Sequence, residues 1–208
     1  MKTILFITLI SLASLSYGQN TPPAFDGHKW DAPYLLSVPK DWTIERFLLP
    51  PSFAPSIKYN GVEDIRFTPG WSKAGNAEYW TYAFLWFVDG EPTVNNTSIK
   101  RDLEAYYEGL FKINTDSSKH RNEKVIPVTV KLNPVKTLPG DLASFTGMIR
   151  MMDFLSRQPI TLNCKVHVKR CSETNKTILF FELSPKTFEN AVWKSIDQLW
   201  VDFRCEKG

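Results

Sequence analysis

The chain has 208 residues, of which 43% are hydrophobic and 23% charged, with 25 Lys and Arg against 22 Asp and Glu. So small a basic excess argues against nucleic acid as a partner, because phosphate binding needs clustered positive charge, and it gives little attraction to anionic lipid. Three cysteines and three histidines form no Cys-x-x-Cys, HxH, HxxxH or HExxH pattern, so no metal site is expected, and no cofactor fingerprint is present.

The chain opens with Met1-Lys2, an apolar run from Ile4 to Leu15, and Ser16-Tyr17-Gly18. A basic start, a short apolar centre and small residues at the exit make a secretory signal peptide, with cleavage expected after Gly18. The run is too short for the roughly 20 residues of a membrane-spanning helix, and no later segment is longer. Removing residues 1–18 from 208 leaves 190, with 24 Lys and Arg against 22 acids, a net charge of +2. The expectation is a secreted or periplasmic protein of one domain, with no transmembrane segment.

Residues 19–60 hold so many prolines that a long helix is excluded. They read as an extended aromatic-rich arm lying on the core domain 61–208, with a short strand near Trp42–Leu48. Val62–Phe67 and Tyr79–Val88 read as a strand pair joined by the loop Thr68–Ala77, where Pro69-Gly70, Gly75 and Asn76 break regular structure. Ile99, Leu103, Tyr106, Tyr107, Leu110 and Phe111 repeat at helical spacing and predict a helix over Ser98–Lys112, capped by Thr97 or Ser98. Gly109 lowers the helical propensity there by about 1 kcal/mol relative to Ala. Residues 114–124 read as a polar loop.

Four strands are expected next: Val125–Leu132, an edge strand because Pro127 cannot donate to a ladder, then Ala143–Phe154, Ile160–Arg170 and Thr177–Leu183. Along the third, Leu162, Cys164, Val166 and Val168 alternate with Asn163, Lys165, His167 and Lys169, which predicts one dry and one wet face. Ser184-Pro185 reads as the start of a closing helix with Phe188, Val192, Ile196, Leu199 and Phe203 on its apolar stripe. Cys171 has the opposite strand parity to Cys164, so the preferred pairing is Cys171–Cys205, with Cys164 a buried thiol; three free thiols is the alternative.

The fold class is therefore α+β: one antiparallel sheet of about six strands with two helices packed on it, in the order ββαββββα. Over roughly Val62 to Phe203 this order resembles that of the PsbP-like proteins. The resemblance is one of architecture, without a shared motif. It implies a compact α+β layer and a leaning toward accessory or binding roles, and it transfers no functional residue.

The stretch "EYWTYAFLWFVDG", Glu78 to Gly90, has six aromatic residues among its thirteen. Both faces of such a strand are apolar, which predicts a central strand covered on both sides. The alternative is an open aromatic platform that stacks on a sugar or holds a lipid, with Tyr79 and Trp80 taking part. Trp71, near the tip of a loop, is the sharper binding candidate, with folding back as a plug over the hairpin the alternative. Lys165 and His167 could attract an anion, although a solvated strand face is the plainer reading. "GWSKAG" is not a nucleophile elbow, since its second Gly comes one residue late, and no catalytic residue is assigned.

The preferred function is a non-enzymatic exported module binding an unknown protein, sugar or apolar small ligand. The alternative is a hydrolase acting on a cell-envelope or extracellular polymer through acids such as Asp153 and Glu63. Asn95, Asn96 and Asn175 match the N-glycosylation pattern.

Overall fold

The computed structural model describes residues 24–115 and 125–206; the expected signal peptide lies outside them. The elements, in chain order, are β1 (Thr43–Leu49), β2 (Gly61–Phe67), β3 (Tyr82–Asp89), α1 (Asn96–Ile113), β4 (Thr129–Pro134), β5 (Ala143–Met152), β6 (Pro159–Cys171), β7 (Lys176–Ser184) and α2 (Val192–Asp202). The strands form one antiparallel sheet in the order β1-β2-β3-β7-β6-β5-β4. The fold is α+β as expected. The seventh strand comes from the proline-rich arm, where β1 pairs with β2 along its whole length.

The sheet has two buried faces, and the alternation of β3 divides its side chains between them. Tyr82, Phe84, Trp86 and Val88 join the core under α1, with Ile99, Leu103, Tyr106 and Tyr107. Ala83, Leu85 and Phe87 join the core under α2 and the arm, with Tyr34, Leu36, Trp193 and Trp200. The aromatic strand is therefore covered on both sides. Full burial of one such ring contributes about 1.5–3 kcal/mol, so these rings dominate the core energetics.

Several boundaries differ from the sequence expectation, each for a local reason. β3 begins at Tyr82 rather than Tyr79, because Thr81 N donates to Glu78 O (2.8 Å) and Trp80 N to Trp71 O (2.7 Å), which holds Tyr79 and Trp80 in a turn. The cap of α1 is Asn95, not Thr97 or Ser98. Asn95 Oδ1 accepts from Ser98 N at 3.0 Å and Ser98 Oγ accepts from Asn95 N at 2.9 Å, a reciprocal capping box. β4 begins at Thr129, two residues after the proline that cannot donate, and lies at the sheet edge as expected.

The closing helix begins later than the Ser-Pro signal suggested. Ser184 ends β7, its hydroxyl 2.8 Å from that of Thr81. Asn190 Oδ1 accepts from Val192 N (3.0 Å) where α2 starts, and Phe188 is left outside the helix.

The faces of β6 also explain its cysteines. Cys164 is buried in the α1 core, and burial pushes its thiol up to about 12. Cys171, of opposite parity, is disulfide-bonded to Cys205 beyond α2. Beside that bridge Leu35 and Arg204 exchange backbone hydrogen bonds of 3.0 and 3.1 Å, tying the arm to the chain end. Among the described residues no helix is long and apolar enough to cross a membrane.

Candidate functional site

Beneath α1 the rings do not close completely. A cavity of about 310 Å³ lies between β1–β2, α1 and the loop joining β2 to β3. That loop is drawn together from within. Thr68 Oγ1 donates to Thr81 O (2.8 Å), and Glu78 Oε2 accepts from Gly70 N (2.8 Å). The closure lays Trp71 on Phe67 with ring centres 4.4 Å apart and edge-on to Trp80 at 6.4 Å. Trp71 is half-buried, so the loop-tip Trp folds back over the hairpin and still meets solvent.

The opposite wall is the proline-rich segment after β1. Phe53 packs edge-on against Phe47 (6.2 Å) and Tyr106 (5.1 Å). It comes this close because α1 carries Gly109 at the crossing: a Cβ there would stand 2.0 Å from Phe53 O. The glycine that weakens the helix in isolation is what lets the arm touch it. Eight of the described residues lining the cavity are aromatic, and Glu45 is the one charged residue among them. Glu45 is exposed, which places its carboxylate at the mouth.

Behind Tyr106 lies a buried acid. Tyr106 OH donates to Glu63 Oε1 at 2.7 Å, and Glu63 is completely buried. Burial raises its carboxyl to about 8 against the opposing hydrogen bond from Tyr106. Glu63 does not line the cavity.

The five sequence candidates are divided between places. Trp71 and Trp80 line the aromatic cavity. Tyr79 does not; its hydroxyl donates to Asp153. Lys165 and His167 lie across the sheet, lining a second cavity of about 350 Å³. The strand face expected to be solvated is covered by α2. His167 is 7% exposed, stacked on Trp200 at 5.2 Å. Its Nδ1 is 2.9 Å from Asp141 Oδ2 and its Nε2 3.4 Å from Glu182 Oε1. Lys165 pairs with Asp197 of α2 and stands over the Trp193 ring, and Lys169 stands over Trp200.

Burial raises Glu182 to about 7 against the pull of His167. Burial alone would lower His167, but Glu182 and Asp141 outweigh it and raise the imidazole. This cluster fastens α2 to the sheet: its cations are held by carboxylates and rings of the α2 side.

Neither acid singled out for hydrolysis stands in a cleft with a partner. Asp153 is buried and accepts from Tyr79 OH, Ser156 Oγ and Leu155 N, holding the turn after β5. Among the described residues no group of three or more His, Cys, Asp or Glu is placed to hold a metal ion.

Sequence reasoning missed Glu45, Phe47, Phe53 and Phe154 at the aromatic cavity. Glu45 and Phe47 share one face of β1, a signal that strand alternation carried. Phe53 and Phe154 lie on irregular segments, where no period places a side chain. The chain matches no family model, no curated protein and no solved structure.

Proposed function

We propose that the protein is an exported, non-enzymatic binding module that holds a small, largely apolar ligand in the aromatic cavity beneath α1. The observation that carries this reading is the cavity itself: about 310 Å³, walled by eight aromatic residues and topped by a half-buried Trp71. Ligand sites are concave, of roughly 300–1,000 Å³, and lined mostly by apolar and aromatic side chains with a few polar groups. A sugar is less suited, since few donors and acceptors line the walls. The Cys171–Cys205 disulfide and the signal-like N-terminus support an oxidising, extracytoplasmic setting. The PsbP-like order of elements fits an accessory role.

Titration with a neutral solvatochromic dye such as Nile red, read by dye emission and tryptophan quenching, tests the proposal. Saturable binding is expected, weakened by about tenfold in Trp71→Ala, the loss of one aromatic wall. Circular dichroism of the variant should be unchanged, because Trp71 is only half-buried. No saturable binding, or wild-type affinity in a folded Trp71→Ala, overturns the reading.

A further inference from the structure

The cavity beneath α1 differs from the other aromatic surfaces of the protein in how its rings meet charge. Outside it, seven rings each have a Lys or Arg of the same chain over them, among them Arg46 over Trp30 at 5.7 Å and Lys169 over Trp200 at 4.6 Å. Among the described residues, none of those seven rings lines this cavity, and no Lys or Arg lines it either. Its one charged residue is Glu45, whose side chain makes no ion pair or hydrogen bond among the described residues. Two other exposed acids are engaged, Asp89 by Lys176 and Glu91 by Arg170.

Aromatic faces carry negative potential and attract cations, most strongly where water is excluded. A carboxylate at the mouth adds to that potential; burial is the main cause that disfavours ionisation of Glu63 and Tyr106, and Glu45 acts in the same direction. The Tyr106 hydroxyl donates to Glu63, which leaves the ring richer in electrons. An anion would meet Glu45 and the rings together, and a neutral body would gain nothing from the carboxylate.

We infer that the ligand is an organic cation: an ammonium group carried on a hydrocarbon or aromatic body, with the body among the rings and the charge near Glu45. The inference rests on the reading of this cavity as a ligand site. It names a class of ligand that this reading alone leaves open.

The test is displacement of Nile red from the full chain by three matched compounds: phenyltrimethylammonium, its uncharged isostere tert-butylbenzene, and benzenesulfonate. The cation should bind about tenfold more tightly than the isostere, and the sulfonate most weakly. Glu45→Gln should cut the preference for the cation over the isostere by about threefold and leave tert-butylbenzene unchanged. Glu45 is exposed, so the variant should fold. An isostere that binds as tightly as the cation, or a preference unaltered in Glu45→Gln, overturns the inference while the apolar binding reading stands. If neither the dye nor any of the three compounds binds, both fall.

Discussion

Under α1 the sheet meets rings: Phe84 stacks on Tyr106 at 5.3 Å and on Phe181 at 4.5 Å, and the polar atoms present are mostly phenols bonded to one another or to Glu63. Under α2 and the arm the sheet meets charge. Asp64, fully buried, accepts from Tyr34 OH at 2.9 Å and lies against Arg66 and Arg46, while Arg66 also donates to the carbonyls of Leu36 and Ser37. Farther along that face, His167 sits between two carboxylates. On the aromatic side an unmet polar group is a neutral indole N–H, that of Trp80 at the cavity wall, which is buried without a hydrogen-bond partner. A buried charge does not tolerate the loss of its partner. The aromatic cavity and the charged clasp of the arm lie on opposite faces, and the charged face has a cavity of its own, of about 350 Å³, beside His167.

The contrast is open to experiment, beginning where the largest effect is expected. Asp64→Ala leaves Arg66 buried without its carboxylate and should cost about 3–5 kcal/mol in urea unfolding. A loss under about 1 kcal/mol would mean that the charged face is held mainly by its apolar contacts.

Cys205→Ser, which opens a bridge spanning 34 residues, should cost roughly 3–4 kcal/mol by the loop-entropy relation. Hydrogen exchange should rise in α2 and the arm, and stay low in α1. Equal loosening of α1 would show that the two faces unfold as one unit.

Raising the pH probes both faces together. Glu63 and Glu182 are raised from ordinary values of 4.5 to about 8 and about 7, so each keeps its proton longer in the folded than in the unfolded chain. Stability then falls as pH climbs from about 4.5 through those values. His167 is raised too; its contribution is complete below 6.5 and is lost as pH rises through its folded value. All three effects have the same sign. Thermal unfolding should therefore show greatest stability near pH 5 and a progressive loss of stability toward pH 9. Glu63→Gln, which keeps the neutral form, should flatten the upper part of that decline. An unchanged decline would place the whole effect on the His167–Glu182 side.

Gly109→Ala is the smallest change. Helix propensity alone favours Ala by about 1 kcal/mol. The added methyl group would collide with Phe53 O, so the net effect should be a loss of about 1–3 kcal/mol, measured by denaturant midpoint. A stabilised variant would show that the arm yields readily at the cavity wall.

Much of this molecule was legible one residue at a time. The period-2 run of β6 and the stripe of α1 follow from the need to bury one side of an element, and the split of β3 between two cores follows from its being apolar on both sides. Strand parity set Cys171 apart from Cys164, and the preferred partner, Cys205, is the one to which it is bonded. The fate of the Lys165–His167–Lys169 face was not legible, because alternation says only that a face is polar. Whether water or a helix covers it depends on where α2 lands, and Asp197 and Trp200 come from more than thirty residues away. The cavity was half legible: the Trp71 loop stood out, but Phe53 reaches it only because the arm crosses α1 at Gly109. Local pattern, set by backbone periodicity and side-chain polarity, determined the elements and their dry faces. The tertiary structure alone decided which irregular segments met over those faces, because such contacts are fixed by chain crossing and close packing, which have no period in the sequence.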